Sequence, residues 1–235
     1  MTKAEKQEQD FGLNAEEMAK QGMHLGHKTS RINPKMKPFL VGTRNDVHVI
    51  DLDQTLIKLK QALEFIQSLI ASGKTLLLVG TKVQVKNLVK EVALECNLPY
   101  VNERWLGGTF TNFETLKKRI EYFKDLENKK AAGELEKYTK KEQLMFDREI
   151  NTLETKFGGI KNMNQLPDAV FVMDMRKDIL PVKEAKLKGI KIIGVADTNV
   201  DPNLADYPIP ANDDAAPSIK YILDKVKEVI LKLKK

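Results

Sequence analysis

Leu76 to Val79 is a run of four aliphatic residues with no polar break. It follows a stretch that is apolar along one stripe only: Leu56, Leu59, Leu63, Ile66 and Ile70 recur at spacings of three and four. A short run with no alternation suits a strand covered on both faces, and a 3.6-residue stripe suits a helix lying on it. The pair repeats. Val85, Leu88, Val89 and Val92 form a second helical stripe, followed by a short strand near Tyr100-Val101. Ala169 to Met173 and Ile190 to Val195 read as buried strands, with a short helix from Val182 to Lys188 between them that Gly189 ends. Tyr207 to Ile209 is a last short strand, and Ser218 to Leu233 a closing amphipathic helix. Strands alternating with helices predict an α/β fold of three layers, with a mainly parallel sheet between helices. At 235 residues the chain is long enough for one such domain with an added module.

Two stretches depart from the rhythm. Near the N-terminus Asn14 can cap a short helix, and Pro34 and Pro38 then enforce an extended passage. Phe39 to Val41 and Val47 to Ile50 read as short strands joined by a turn over Gly42 to Asp46. The second stretch, 111–157, interrupts the alternation. Thr111 with Glu114, and Thr139 with Glu142, have capping-box spacing and mark two helix starts. Phe113, Leu116, Ile120 and Phe123 form one seam, Phe146, Ile150, Leu153 and Phe157 the other, and Gly133 lies between. The insert reads as an antiparallel coiled-coil helical hairpin projecting from the core, with two ordinary core helices as the plainer alternative; the charged outer positions Lys117, Lys118, Arg119, Lys140 and Lys141 favour the projecting hairpin. The α/β core is then 1–110 with 158–235, and it is expected to fold without the insert, joined from Gly107 to Gly158.

Cys96 is the only cysteine, so no disulfide forms within the chain, as suits a reducing cytoplasm. The segment Met1 to Asp10 lacks the apolar core of a signal peptide, and no aliphatic run is long enough to span a bilayer. Lys and Arg total 39 against 33 Asp and Glu, a net charge of +6. Distribution says more than the total. Between Glu17 and Asp46 there is no acid, while Lys20, Lys28, Arg31, Lys35, Lys37 and Arg44 fall there. Such a segment is expected against solvent or an anionic partner, so Lys28, Arg31, Lys35, Lys37 and Arg44 are candidate phosphate contacts.

Enzymatic signatures are weak. Gly73-Lys74-Thr75 invites a phosphate-loop reading, but Ser68 stands where the first glycine belongs, and a helix precedes the tripeptide where a strand should. Asp174 and Asp197 follow predicted strands, where open α/β sheets place ligand groups. They support an alternative reading, a flavodoxin-like nucleotide-binding protein or enzyme using strand-end carboxylates. Asp197, Asp213 and His24 could instead share a structural divalent ion, zinc with the imidazole or magnesium with carboxylates and water alone. The plain alternative makes Asp213 or Asp214 the cap of the last helix. In Arg104-Trp105-Leu106-Gly107-Gly108-Thr109, Arg104 is a phosphate candidate, whereas Trp105 reads as a core anchor beside a glycine hinge. Lys82 joins the phosphate candidates.

These residues also carry a resemblance. His24-Leu25-Gly26-His27-Lys28-Thr29, Asn33 to Phe39, Gly42 to Asn45, Val47 to Leu52 and Val79-Gly80-Thr81-Lys82 match a known pattern in order. So do Asn102 to Gly108, Thr111-Asn112, Gly158 to Lys161, Leu166 to Ala169, Asp197-Thr198-Asn199 with Asp201-Pro202, and Ile209-Pro210 with Asn212 to Ala215. The chain resembles the bacterial form of the small-subunit ribosomal protein family numbered two. The resemblance implies a flavodoxin-like core with a protruding coiled coil, no catalysis, and a role in binding ribosomal RNA and assembling the cytoplasmic small subunit. It further implies neighbouring ribosomal proteins as partners, including the large multi-domain ribosomal protein numbered one. A metal near the carboxylates matching Asp197 and Asp213-Asp214 is also implied, as seen in some members. Phe110 departs from the pattern, replacing a smaller aliphatic residue.

Overall fold

The computed structural model describes residues 11–233; Met1 to Asp10 and the last two residues lie outside that range. Helix α1 (Ala15–Lys20) starts where expected, with the Asn14 side chain accepting from the Glu16 N–H. Strands β1 (Leu25–Lys28), β2 (Leu40–Arg44) and β3 (Val47–Ile50) form an antiparallel sheet in the order β1-β3-β2. The turn between β2 and β3 is tighter than the sequence suggests. Only Asn45 and Asp46 lie between the strands, both at positive φ (50° and 60°), which Asn and Asp tolerate. β1 was not foreseen at all.

Helix α2 (Leu52–Ala71) is capped by Asp51, whose carboxylate accepts from the Asp53 and Gln54 N–H groups. After it come β4 (Leu76–Val79), α3 (Lys86–Glu95), β5 (Tyr100–Val101), α4 (Phe113–Ala131) and α5 (Lys140–Phe157). The chain closes with β6 (Ala169–Val172), α6 (Ile179–Lys188), β7 (Lys191–Ala196), β8 (Tyr207–Pro210) and α7 (Ala216–Leu233). The five strands β5-β4-β6-β7-β8 pair in parallel throughout.

Alternation decides which face of this sheet each buried side chain fills. Leu76, Leu78, Phe171, Ile193 and Ile209 meet α2, α3 and α7 on one face. Leu77, Val79, Val170, Val172 and Ile192 meet α6 and the base of the insert on the other. Three layers result, as the alternation of elements predicts.

The insert starts differently from the expectation. Thr139 and Glu142 do form the reciprocal capping box of α5. Thr111 does not cap α4: the helix begins at Phe113, and the Thr111 N–H and hydroxyl turn to Glu184. Phe113, Leu116, Ile120, Phe123 and Phe157 are buried and continuous with Leu77 and Val170, so the seam of the insert runs into the core. Farther out Ile150 and Leu153 are half-buried, and Lys130–Asp147 (2.7 Å) and Tyr122–Glu149 (3.1 Å) tie the two helices.

Candidate nucleic-acid interface

The chain passes from β4 to β5 on one side and returns to β6 on the other, so the crevice between the C-terminal ends of β4 and β6 is the place where open α/β sheets hold ligands. Here it is closed by charge. Lys82, just beyond β4, puts Nζ 3.0 Å from Asp174, 2.8 Å from Asp213 and 2.7 Å from Asp214. The second Asp174 oxygen caps the following turn, accepting from the Arg176 and Lys177 N–H groups. Asp178 accepts from the Thr81 N–H (3.1 Å) and hydroxyl (2.7 Å). The cavity left at this edge, about 300 Å³, is lined by His27, Lys82, Asp174, Arg176, Lys177, Asn199 and Asp213.

Burial works against the Lys82 charge, but hydrogen bonds to Asp213 and Asp214 outweigh it and raise the lysine above its usual value. Asp213 is itself pushed up to about 7, by burial first and then by Asp174 and Asp197. The two directions compete, because a protonated Asp213 gives Lys82 no support. Asp174 and Asp214 also hold the ammonium, so Lys82 keeps its charge when Asp213 takes a proton on acidification.

The N-terminal segment is laid over this edge. Gly26 fits directly against Thr198, with the His48 carbonyl 3.0 Å from where a Cβ would stand, so only glycine passes. The His27 N–H donates to Thr198 Oγ1 (2.9 Å), the Asn33 N–H to the Thr198 carbonyl (2.8 Å), and the Asn212 N–H to the Met23 carbonyl (3.1 Å). His27 Nδ1 lies 3.2 Å from Asp197, and that hydrogen bond raises the imidazole pKa against the opposing effect of burial.

The three expected metal ligands are therefore not assembled. Asp197 and Asp213 do meet, the Asp213 N–H donating to Asp197 (3.3 Å). His24 lines a different cavity, beside Val41 and Asp51, and the imidazole on Asp197 is that of His27. Among the described residues no group of three or more His, Cys, Asp or Glu is arranged to hold a metal ion. The donor set does not fit a divalent ion as folded, because the Lys82 ammonium occupies the point where the carboxylates converge. Nor does Asp213 cap α7: the Asn212 side chain accepts from the Asp214 and Ala215 N–H groups instead. A nucleotide-binding or catalytic reading loses its residues in the same way, since Asp174 and Asp197 are both engaged within the protein.

The cationic candidates separate into three kinds. Lys28, Arg31, Lys37, Arg44 and Arg104 are exposed and make no ion pair among the described residues. Lys28 and Arg44 pair with Val47 from opposite sides, so their backbones stand two strand spacings, roughly 10 Å, apart at one end of the small sheet. Lys35 is exposed but pairs with Asp201 at 2.6 Å. Lys82 is the correction, a half-buried ammonium held by three carboxylates with no charge left over for phosphate. Two cations were missed. Arg176 and Lys177 are exposed at the same edge, and Asp174 and Asp178 beside them in sequence disguised it, although both acids turn inward.

Trp105 is a core anchor as expected, 7% exposed and edge-on to Phe110 at 4.8 Å. What organises its loop is Glu184, which nothing in the sequence singles out. One carboxylate oxygen accepts from the Trp105 indole N–H (3.1 Å) and the Gly108 N–H (2.9 Å). The other accepts from the Phe110 and Thr111 N–H groups (2.8 and 3.2 Å). Gly108 meets it with φ at +92°, so the second glycine has a conformational reason.

The profile of the family described as Ribosomal protein S2 matches residues 18–232. The chain belongs to the ribosomal protein S2 family. Proteins called small ribosomal subunit protein uS2 resemble it along most of its length. Those of a Roseiflexus species and of Roseiflexus castenholzii are each 47% identical over 210 residues, covering 89% of this chain and 80% of theirs. That of a Nitratiruptor species is 46% identical, covering 89% and 79%. All the residues of the edge just described fall within the stretch that the S2 family profile spans.

Proposed function

We propose that the protein is a structural, non-catalytic constituent of the small ribosomal subunit, working in the cytoplasm in translation and gripping ribosomal RNA with the exposed cations of its small sheet and of the segment joining β1 to β2. The observation that carries this reading is the division of charge. Lys28, Arg31, Lys37 and Arg44 are exposed and form no ion pair among the described residues, Arg31 acting on Asp214 only through space, whereas the carboxylates at the sheet edge are closed by Lys82. Phosphate contacts need cations of the first kind. Arg104, Arg176 and Lys177 extend the surface, and Lys35 joins it if phosphate displaces Asp201.

The insert belongs to the same reading as an antiparallel coiled-coil hairpin reaching toward RNA or neighbouring ribosomal proteins, among them the large multi-domain protein numbered one. The metal reading of Asp197 and Asp213 becomes one in which Lys82 supplies the positive charge. Binding of the full chain to small-subunit RNA at several salt concentrations tests the assignment. Replacing Lys28, Arg31 and Arg44 with Ala should flatten the salt dependence by about 0.7–0.9 slope unit per lost phosphate contact. An unchanged slope overturns the assignment.

A further inference from the structure

The stretch from Arg176 to Lys191 carries six cations and two acids in its sequence, an unremarkable mixture. Folding sorts them. Asp178 and Glu184 are 3% and 4% exposed, the first spent on Thr81 and the second on the Trp105 loop. The exposed charge along α6 is left wholly cationic. Pro181, Val182, Glu184 and Ala185 form its buried side. At about 100° per residue, Lys183 and Lys186 then share the outward face with Leu180 and Leu187. The leucines are seven positions apart, hence stacked two turns apart on that face, and are 43% and 77% exposed.

This ridge continues beyond the helix. A Cβ at Gly107 would lie 3.7 Å from the Leu180 side chain, so the leucines run on to the turn that follows Trp105. Glu184 joins helix and turn from beneath, so one buried carboxylate sets the position of both parts of the surface.

We propose that the outer face of α6, continued by the Gly107 turn, docks an acidic, amphipathic segment of a neighbouring protein. The inference rests on the small-subunit reading, which supplies the neighbours. Charge complementarity selects an anionic partner, and the leucines select among anionic partners. A nucleic acid duplex offers phosphates and hydroxyls to Lys183 and Lys186 but no aliphatic surface to Leu180 and Leu187. A helix or strand with acids flanking an apolar stripe meets both needs.

Placing a photo-activated cross-linking residue at Leu187 of the full chain, and assembling it into small subunits, tests the surface. Sedimentation measures incorporation, and mass spectrometry of the isolated particles identifies what is joined. The expected product is one ribosomal-protein segment with net negative charge and apolar residues on one face. Lys183→Glu with Lys186→Glu should lower its yield by about tenfold or more at equal incorporation, since facing like charges oppose docking. Cross-links to RNA, to a basic segment, or to nothing in particles that contain the chain overturn the proposal. A wild-type chain that fails to enter particles overturns the small-subunit reading, and this surface with it.

Discussion

Replacing Glu184 with Ala removes the acceptor for the Trp105 indole N–H and for the Gly108, Phe110 and Thr111 N–H groups. Gly108 and Thr111 border solvent and can turn to water, whereas Trp105 and Phe110 are buried at 7% and 0% exposure. Leaving two buried donors unsatisfied, at about 1–3 kcal/mol each, destabilises the protein by about 3 kcal/mol. For a domain of this size that corresponds to a fall in Tm of roughly 6–12 °C. Gln keeps one acceptor oxygen but sets an amide NH2 against N–H donors, so it recovers at most part of the loss.

The loss has a pH signature. Burial opposes the ionised Glu184, but the N–H donors of Phe110, Gly108, Trp105 and Thr111 outweigh it and hold the carboxyl below its ordinary value. A depressed carboxyl stabilises the fold above its unfolded pKa and loses that contribution as pH falls through the folded one. The gap between wild type and Glu184→Ala should therefore be constant above about pH 5 and narrow in acid. Thermal unfolding followed by circular dichroism, together with the emission of the only tryptophan, reads both the global and the local effect. A variant melting within about 1 °C of wild type, with unchanged Trp105 emission, would mean that Trp105–Phe110 packing alone shapes the loop and that the reasoning is wrong.

Lys82→Ala should destabilise by about 3–5 kcal/mol, because it strands buried carboxylates without their cation. Asp213, already raised to about 7, favours the fold more as pH falls from there toward its unfolded value, so the deficit should be largest at alkaline pH and shrink by pH 5. A deficit that stays constant with pH refutes the pairing. Excess chelator should shift the wild-type Tm by less than about 1 °C, since Lys82 closes the cluster; a clear fall would put a metal at Asp197 and Asp213 after all. Replacing residues 124–147 with a short glycine linker should preserve one cooperative melting transition. Joining Gly107 to Gly158 also removes Phe113, Leu116, Ile120, Phe123 and Phe157 from the core and should lower the Tm or broaden the transition. Equal melting of the two deletions would instead support the domain boundary expected from the sequence.

The parallel strands were legible because strands covered on both faces must be apolar at every position, as Leu76 to Val79 and Ala169 to Val172 are. The Thr139–Glu142 box was legible because both partners lie within one helical turn. The same spacing at Thr111 misled, since a carboxylate 73 positions later captures its N–H. β1 escaped notice because Leu25–Lys28 has no periodicity of its own and becomes a strand only against β3.

The sequence by itself determined which segments could be strands and helices, and where an uncompensated run of cations lies, because those properties follow from neighbours along the chain. Tertiary structure alone decided which charges remain available. Lys82 and Asp213 are 131 positions apart, and parallel pairing brings the ends of β4, β6 and β8 to one edge, where burial forces opposite charges to neutralise each other. The same folding turns Asp178 and Glu184 inward and leaves their neighbouring lysines outside. A charge that reads as free or paired in sequence acquires its meaning only when the fold sets its distance to the others and its share of water.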